Sequence, residues 1–388
     1  MPEKNAKAES GEYRMKVVIA IDSFKGSLTS LEAGEAVKAA ILRRYNTAEV
    51  TVRPLADGGE GTVEAMSVGL GGETVKVSVR GPLGEPVIAQ YCIVNGATAV
   101  IEMAAAAGLP LVPTELRDPM NTTTYGVGEL IRDAMSRGCR SFIVGIGGSA
   151  TNDGGVGMLS ALGFEFLDKN GNIISEGAGG LEFLDRISAE NAITELSECS
   201  FRVACDVTNP LCGENGCSAV YGPQKGATPE TVRLMDAWLS EYAKTAKRVF
   251  PNADPNYPGA GAAGGLGFAF MTFLGASLES GIKIILDETK LERYVADADI
   301  VITGEGRLDS QTVMGKAPIG VARLAKKHKK RVIAFSGCVT EDAEECNKHG
   351  IDAFFPIVRG ITTLEEALDR DNAYKNLEAT AYQVFGLI

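Results

Sequence analysis

Apolar runs that end in small or acidic residues recur along the chain, and stretches with helical spacing follow them. Met15–Ile21 (MKVVIAI) runs into Asp22 and Ser23, the pattern of a buried parallel strand, and residues 30–45 then repeat apolar positions at helical intervals. Glu49–Pro54 predicts a second strand, followed by ADGGEGT at 56–62 and a short helix. Ser141–Ile146, Phe201–Cys205, Asp299–Thr303 and Arg331–Ser336 predict further strands. Helices are predicted over Tyr125–Arg137, Thr228–Phe250 and about Pro318–Lys329. This alternation calls for an α/β fold with parallel sheets.

Between residues 72 and 103 the rhythm changes. Gly72–Val79, Pro86–Val94 and Ala97–Met103 read as β segments joined by turns at GPLGEP and NG. A chain of 388 residues also exceeds one ordinary core. The economical arrangement is two α/β domains with parallel and mixed sheets. One is a discontinuous Rossmann-like domain of residues 15–80 plus 290–388; the other is an inserted α/β domain of residues 81–289. The active site is expected in the interdomain cleft. Residues 1–14 (MPEKNAKAESGEYR) predict a flexible leader, too polar for a signal peptide and too acidic for a transit peptide. Pro255–Leu278 carries no charge, but its first half is turn-rich, which leaves too few residues to span a bilayer. A loop over 259–267 and then a buried helix are expected.

Composition narrows the chemistry. Hydrophobic residues make up 45% and charged residues 23%, as in ordinary soluble proteins. A net charge of −12 argues against gripping nucleic acid or an anionic membrane. Glycine is in excess, 46 residues in short clusters, as expected where backbone must approach a ligand closely. The two histidines, His328 in KKHKK and His349 in NKHG, read as surface positions. Proton transfer therefore falls to Asp, Glu or Lys. The eight cysteines are scattered; Cys205, Cys212 and Cys217 lack C-x-x-C spacing, and the set reads as reduced thiols in a cytoplasmic chain.

Five polar loops carry candidate chemistry, and ligands in open α/β sheets bind at the C-terminal ends of strands. The first, DSFKGSLTS at 22–30, offers the mobile ammonium of Lys25 beside Gly26; the same residues also suit a helix cap. The second, DGGEGT at 57–62, places backbone N–H groups before a helix. The third, GIGGSATNDGGVG at 145–157, fits the G-x-G-x-x-A dinucleotide pattern with Asp168 some twenty residues on, and equally suits a phosphate-facing loop with a metal-assisting Asp. The fourth, Asp206–Ala227, begins at a strand end and places Gln224 and Lys225 between glycines. The fifth, TGEGRLDSQTVMGK at 303–316, combines Glu305, Arg307, Asp309, Gln311, Thr312 and Lys316; its acids can hold Mg²⁺ or take a hydroxyl proton, and its cations can neutralise phosphoryl charge. There is no G-x-x-x-x-G-K-[ST] sequence. These loops point to an enzyme acting on an anionic small molecule.

Taken in order, the segments resemble the bacterial class I glycerate kinases. The likeness rests on IAIDSFKGSLTS (19–30), PLADGGEGT (54–62), NTTTYGVGELI (121–131) and GIGGSATNDGGVGML (145–159). It continues through DVTNPLCGENG (206–216), YGPQKGAT (221–228), GAGAAGGLG (259–267) and TGEGRLDSQTVMGKAP (303–318). The resemblance implies an ATP- and Mg²⁺-dependent kinase that phosphorylates D-glycerate, usually to 2-phosphoglycerate. No nucleic-acid or membrane partner is expected, and homo-oligomer formation is left open.

The hypothesised roles follow from that implication. Asp206, Asp309 and Lys25 are the catalytic candidates, with Asp206 or Asp309 as base. Asp22, Lys25, Asp57, Gly58, Gly59, Arg307, Gln311 and Thr312 are candidates for the substrate. Gly147, Gly148, Ser149, Asn152 and Lys316 are candidates for the nucleotide, and Asp153 and Glu305 for the metal. Three alternatives stand: a kinase for another small hydroxy or sugar acid, an NAD-dependent dehydrogenase using the 145–150 turn, and a non-catalytic ligand sensor.

Overall fold

A computed structural model describes residues 14–56, 58–59 and 61–388. The chain forms two compact units. The smaller comprises the chain up to Arg53, Leu291–Val313 and Val321–Ile388; the larger comprises Pro54–Lys290 and Met314–Gly320.

The smaller unit is built on a five-stranded sheet, entirely parallel. Its order is Ala353–Pro356, Arg331–Val339, Ile300–Leu308, Lys16–Ile19, Glu49–Val52. Val17 sits between Ile300 and Val50 in register. The apolar runs reflect burial among helices. Val17, Ile19, Ile302 and Phe335 pack with Ile41, Leu377 and Phe385 in one core. Helix Ser30–Arg44 starts at a capping box in which Thr29 and Glu32 satisfy each other's backbone N–H. It lies against helix Arg370–Val384, where Arg43 pairs with Glu378 at 2.9 Å.

Sequence reading ended one strand of this sheet at Thr303. The strand instead continues to Leu308, because pairing with the neighbouring strand persists through Glu305 opposite Ser336 and Arg307 opposite Cys338.

The larger unit holds a six-stranded mixed sheet, ordered Ser277–Glu279, Ser200–Ala204, Ser141–Gly145, Thr98–Glu102, Pro86–Val94, Glu73–Arg80. The first four run parallel and the last two strand pairs are antiparallel. Asn95 and Gly96 turn one hairpin with φ of 53° and 72°, the double positive pair of a type I′ turn, closed by Ala97 N donating to Val94 O. Strand Glu73–Arg80 pairs along its whole length with Pro86–Val94, so the chain crosses into this unit after Arg53, ahead of residue 80. Phe142 and Phe201 stack at 4.8 Å in its core.

In the charge-free stretch, helix Ala262–Leu274 carries left-handed backbone at residues 263–265, so regular helix begins after the glycine run. No helix among the described residues is long and apolar enough to cross a membrane.

Candidate functional site

In the smaller unit the chain leaves strand Lys16–Ile19 toward one edge of the sheet and Ile300–Leu308 toward the other. The order reverses between these two neighbours, and ligands bind at such a switch point. The two loops that leave it are the first and fifth motifs. Asp22 donates its backbone N–H to Gly304 O at 2.9 Å and is itself 4% exposed. Phe24 and Leu28 are buried and bonded to each other through the backbone in both directions, which lifts Lys25 and Gly26 to an exposed tip. Gly26 has φ of +84°, as this tight return requires. Gly306 lies alongside; a Cβ there would come within 3.4 Å of Lys25 N.

From the other strand, Glu305 is 8% exposed and its Oε1 accepts from the Thr312 hydroxyl at 2.7 Å. Asp309 Oδ1 accepts from the N–H groups of Gln311 at 3.0 Å and Thr312 at 3.2 Å, and Oδ2 lies 3.3 Å from Arg307 Nε. Thr312 is fully buried, whereas the Arg307 and Gln311 side chains face solvent. The fold therefore gathers Asp22 and Lys25 on the loop after one strand of the switch point, and Glu305, Arg307, Asp309, Gln311 and Thr312 on the end of the other strand and the turn after it.

The larger unit gathers a second group at the C-terminal ends of its parallel strands. The Gly58–Gly59 turn lies against them so closely that a Cβ on Gly145 would fall 2.1 Å from Gly58 O. A Cβ on Gly58 would fall 2.4 Å from the Ala204 Cβ, and one on Gly147 would fall 3.3 Å from Gly59 Cα. Asp57 lies outside the described residues. Asp206, exposed just past strand Ser200–Ala204, accepts from Gly281 N at 3.1 Å.

After strand Ser141–Gly145, the backbone N–H groups of Gly147, Gly148 and Ser149 have no acceptor among the described residues. Gly148 has φ of +75°, and Leu109 N and Ala150 N hold the loop through Gly148 O and Ala107 O. Successive N–H groups of this kind can receive an anion's oxygens.

Asn152 and Asp153 are not on that surface. Asp153 is 0% exposed: Oδ2 accepts from Thr124 N, Thr124 Oγ1 and Gly157 N, and Oδ1 from Gly155 N. Burial raises this carboxyl and the four donors pull against the rise. A buried carboxylate that accepts four hydrogen bonds from Thr124, Gly155 and Gly157 does not fit the metal role expected from the sequence. Asn152 is equally buried and donates to Ser218 Oγ at 2.8 Å, which does not fit a nucleotide contact. Glu305 does fit a metal-bearing role, since the Thr312 hydroxyl orients it and Mg²⁺ needs only one or two protein carboxylates. Among the described residues no group of three or more His, Cys, Asp or Glu forms a metal cluster. Lys316 is half-buried where helix Ala317–Lys327 starts, its carbonyl accepting from Ile319 N and Gly320 N. Asp168, the ribose position of the dinucleotide reading, is occupied by the N–H groups of Asn170 and Asn172 in a surface turn.

Lys225, named in the fourth loop but given no role there, is buried within this site. It is 2% exposed, and Nζ donates to Ser149 Oγ at 2.7 Å and to Thr151 O at 2.6 Å. Burial lowers its pKa to about 8, against the pull of Cys217 and Asp153. Its only signal in the sequence was its place between glycines in YGPQKGA. His328 and His349 sit at the surface beside Glu292 and Glu345, and all eight cysteines are free thiols.

The larger unit thus presents three N–H groups without acceptors among the described residues, and the smaller unit carries a cluster of acids and cations. A family model described as the glycerate kinase family matches residues 17–388. A protein of Escherichia coli strain K12 named glycerate 2-kinase is 50% identical over 364 residues, covering 94% of this chain and 95% of its own. One from Haemophilus influenzae named glycerate kinase is 49% identical over 371 residues, covering 95% and 98%. A crystal structure from Salmonella typhimurium LT2, described as a glycerate kinase 2, aligns with a TM-score of 0.89 at 49% identity, covering 97% of this chain and 98% of that one. The chain belongs to the glycerate kinase family. It is a kinase, a phosphotransferase with an alcohol group as acceptor.

Proposed function

We propose that the protein transfers the γ-phosphoryl group of ATP to the C2 hydroxyl of D-glycerate, giving 2-phosphoglycerate and ADP. The acceptor and position rest on relatives of about half identity that are named glycerate kinase and glycerate 2-kinase. The observation that supports the nucleotide side is the run of three N–H groups at Gly147–Ser149 that have no acceptor among the described residues. Phosphoryl transfer needs positioning and charge neutralisation more than covalent help.

In this reading the Gly147–Ser149 loop holds phosphate oxygens, and Lys316 adds a cation. Lys25 and Arg307 neutralise anionic charge on the substrates, with backbone donors from Gly58–Gly59. Asp206 receives the hydroxyl proton as the new P–O bond forms and the bond to the ADP oxygen breaks. Asp309 accepts from its own turn and lies beside Arg307, and Asp206 is taken as the base because it stands exposed just past a strand end. Glu305 would hold Mg²⁺, which would supply charge neutralisation for phosphate when bound. Eight free thiols suit work in the reducing cytoplasm.

Incubation with ATP, Mg²⁺ and D-glycerate, read by phosphorus NMR, tests the proposal. A Mg²⁺-dependent 2-phosphoglycerate signal is expected. A 3-phosphoglycerate signal overturns the position, and no product overturns the acceptor.

A further inference from the structure

We propose that Lys225 is a positioning residue for nucleotide phosphate: by donating to the Ser149 hydroxyl it turns the seryl proton away from itself and leaves it available to a ligand. The inference rests on the reading of Gly147–Ser149 as the phosphate loop.

An ammonium has three donors and no lone pair, so in its 2.7 Å contact with Ser149 the seryl oxygen must accept. The seryl hydrogen must then point elsewhere, and Ser149 Oγ has no acceptor among the described residues. The same ammonium also donates to the Thr151 carbonyl at 2.6 Å. Lysine thus sets the direction of one hydroxyl and anchors the backbone two residues further on. Together with the Leu109–Gly148 and Ala107–Ala150 backbone bonds, this holds the loop at three places.

The segment that delivers Lys225 has little room to shift. Gly226 has φ of +98°, and a Cβ there would fall 2.0 Å from Arg117 O. Burying an ammonium is costly without compensation, and the anionic or ionisable neighbours acting on it are the Asp153 carboxyl and the Cys217 thiol. The same turn leaves Thr151 Oγ1 and Asn152 Oδ1 buried without hydrogen-bond partners among the described residues. An arrangement that served stability alone would satisfy those atoms first.

Calorimetric binding of a non-hydrolysable ATP analogue with Mg²⁺ tests the inference on the full chain. Ser149→Ala and Lys225→Met should each weaken binding roughly tenfold, as loss of one phosphate-directed hydrogen bond does. The double variant should bind no more weakly than the weaker single, since Lys225 acts through Ser149. KM for D-glycerate should stay unchanged, which general loss of structure would not allow. Additive losses, or full affinity in Lys225→Met while Ser149→Ala is weakened, overturn the role of Lys225 and leave the loop reading intact. Full affinity in Ser149→Ala overturns the loop reading, and the inference with it. If Lys225→Met fails to fold, a crystal structure of the unaltered protein with the analogue decides. Ser149 Oγ within hydrogen-bond reach of a phosphate oxygen, still bonded to Lys225 Nζ, upholds the inference; no phosphate oxygen in reach overturns it.

Discussion

The Asp206 carboxylate accepts from the backbone N–H of Gly281 at 3.1 Å, tying the end of one parallel strand to the first residue of the helix that follows its neighbour. An asparagine oxygen can accept the same bond. Asp206→Asn should therefore keep the fold and lose the base. The expected result is a fall in kcat of about 10²–10⁴-fold with unchanged circular dichroism. Steady-state kinetics at saturating ATP checks it, and near-normal turnover removes Asp206 from that role.

Asp153 and Glu305 are both buried acids, and they should part company on substitution. Asp153→Asn leaves inward-facing donors without acceptors and should cost about 3 kcal/mol or more in urea unfolding, with the Mg²⁺ dependence of the remaining activity unchanged. Glu305→Gln keeps its contact with Thr312 and should leave stability nearly intact. Its half-saturating Mg²⁺ should rise at least about tenfold. A Mg²⁺ titration of both variants separates the two outcomes.

Gly58 and Gly61 share left-handed backbone, with φ of +88° and +89°, but differ in their surroundings. A Cβ on Gly58 meets the Ala204 Cβ at 2.4 Å, whereas one on Gly61 meets nothing within 4 Å. Gly61→Ala should cost about 1–2 kcal/mol, the conformational penalty alone. Gly58→Ala adds overpacking of about 1–3 kcal/mol and should displace the turn. Unfolding curves of the pair measure the difference, and equal costs would contradict the packing described.

Arg202 bonds Glu279 through two nitrogens and also pairs with Asp287 and Glu288. It draws the Glu279 carboxyl down to about 2, with Lys283 assisting and burial opposing. A carboxyl depressed in the folded state stabilises fully above its ordinary value near 4.5. That stabilisation is lost as pH falls toward about 2. Arg202→Met should therefore move the acid-unfolding midpoint to higher pH, as followed by tryptophan fluorescence of Trp238. A midpoint that does not move argues against the coupling.

Much of this was legible in the residues. MKVVIAI and SFIVG announce strands because apolar runs suit parallel sheets, and NG announces a hairpin because few other pairs tolerate two positive φ angles. Loops after strands led to the switch point and to the Gly147–Ser149 donors. The reading faltered where partners are distant in sequence. Asp153 looked like a metal acid because its Thr124 donors lie 29 residues away. Lys225 looked unremarkable because a lysine is buried only when a specific acceptor receives it, and those acceptors lie 74 and 76 residues upstream. The strand over Ile300–Leu308 outran its apolar stretch because hydrogen-bond register, rather than hydropathy, sets where a strand stops.

The interior position of Lys16–Ile19 in its sheet, between Ile300–Leu308 and Glu49–Val52, also has a bearing on how the protein is made. One neighbour, Glu49–Val52, leaves the ribosome shortly afterwards, but Ile300, the partner of Val17, is 283 residues later. At bacterial synthesis rates that is a delay of roughly 15–60 s. Throughout it, the first strand to emerge has one side of its backbone unpaired, which is a template for wrong association. The larger unit lies almost wholly within the intervening stretch and can form first. Ribosome-bound chains halted before residue 300 should thus yield a protease-resistant core lacking their own N-terminal segment, and that segment should become resistant only once the last strands are added.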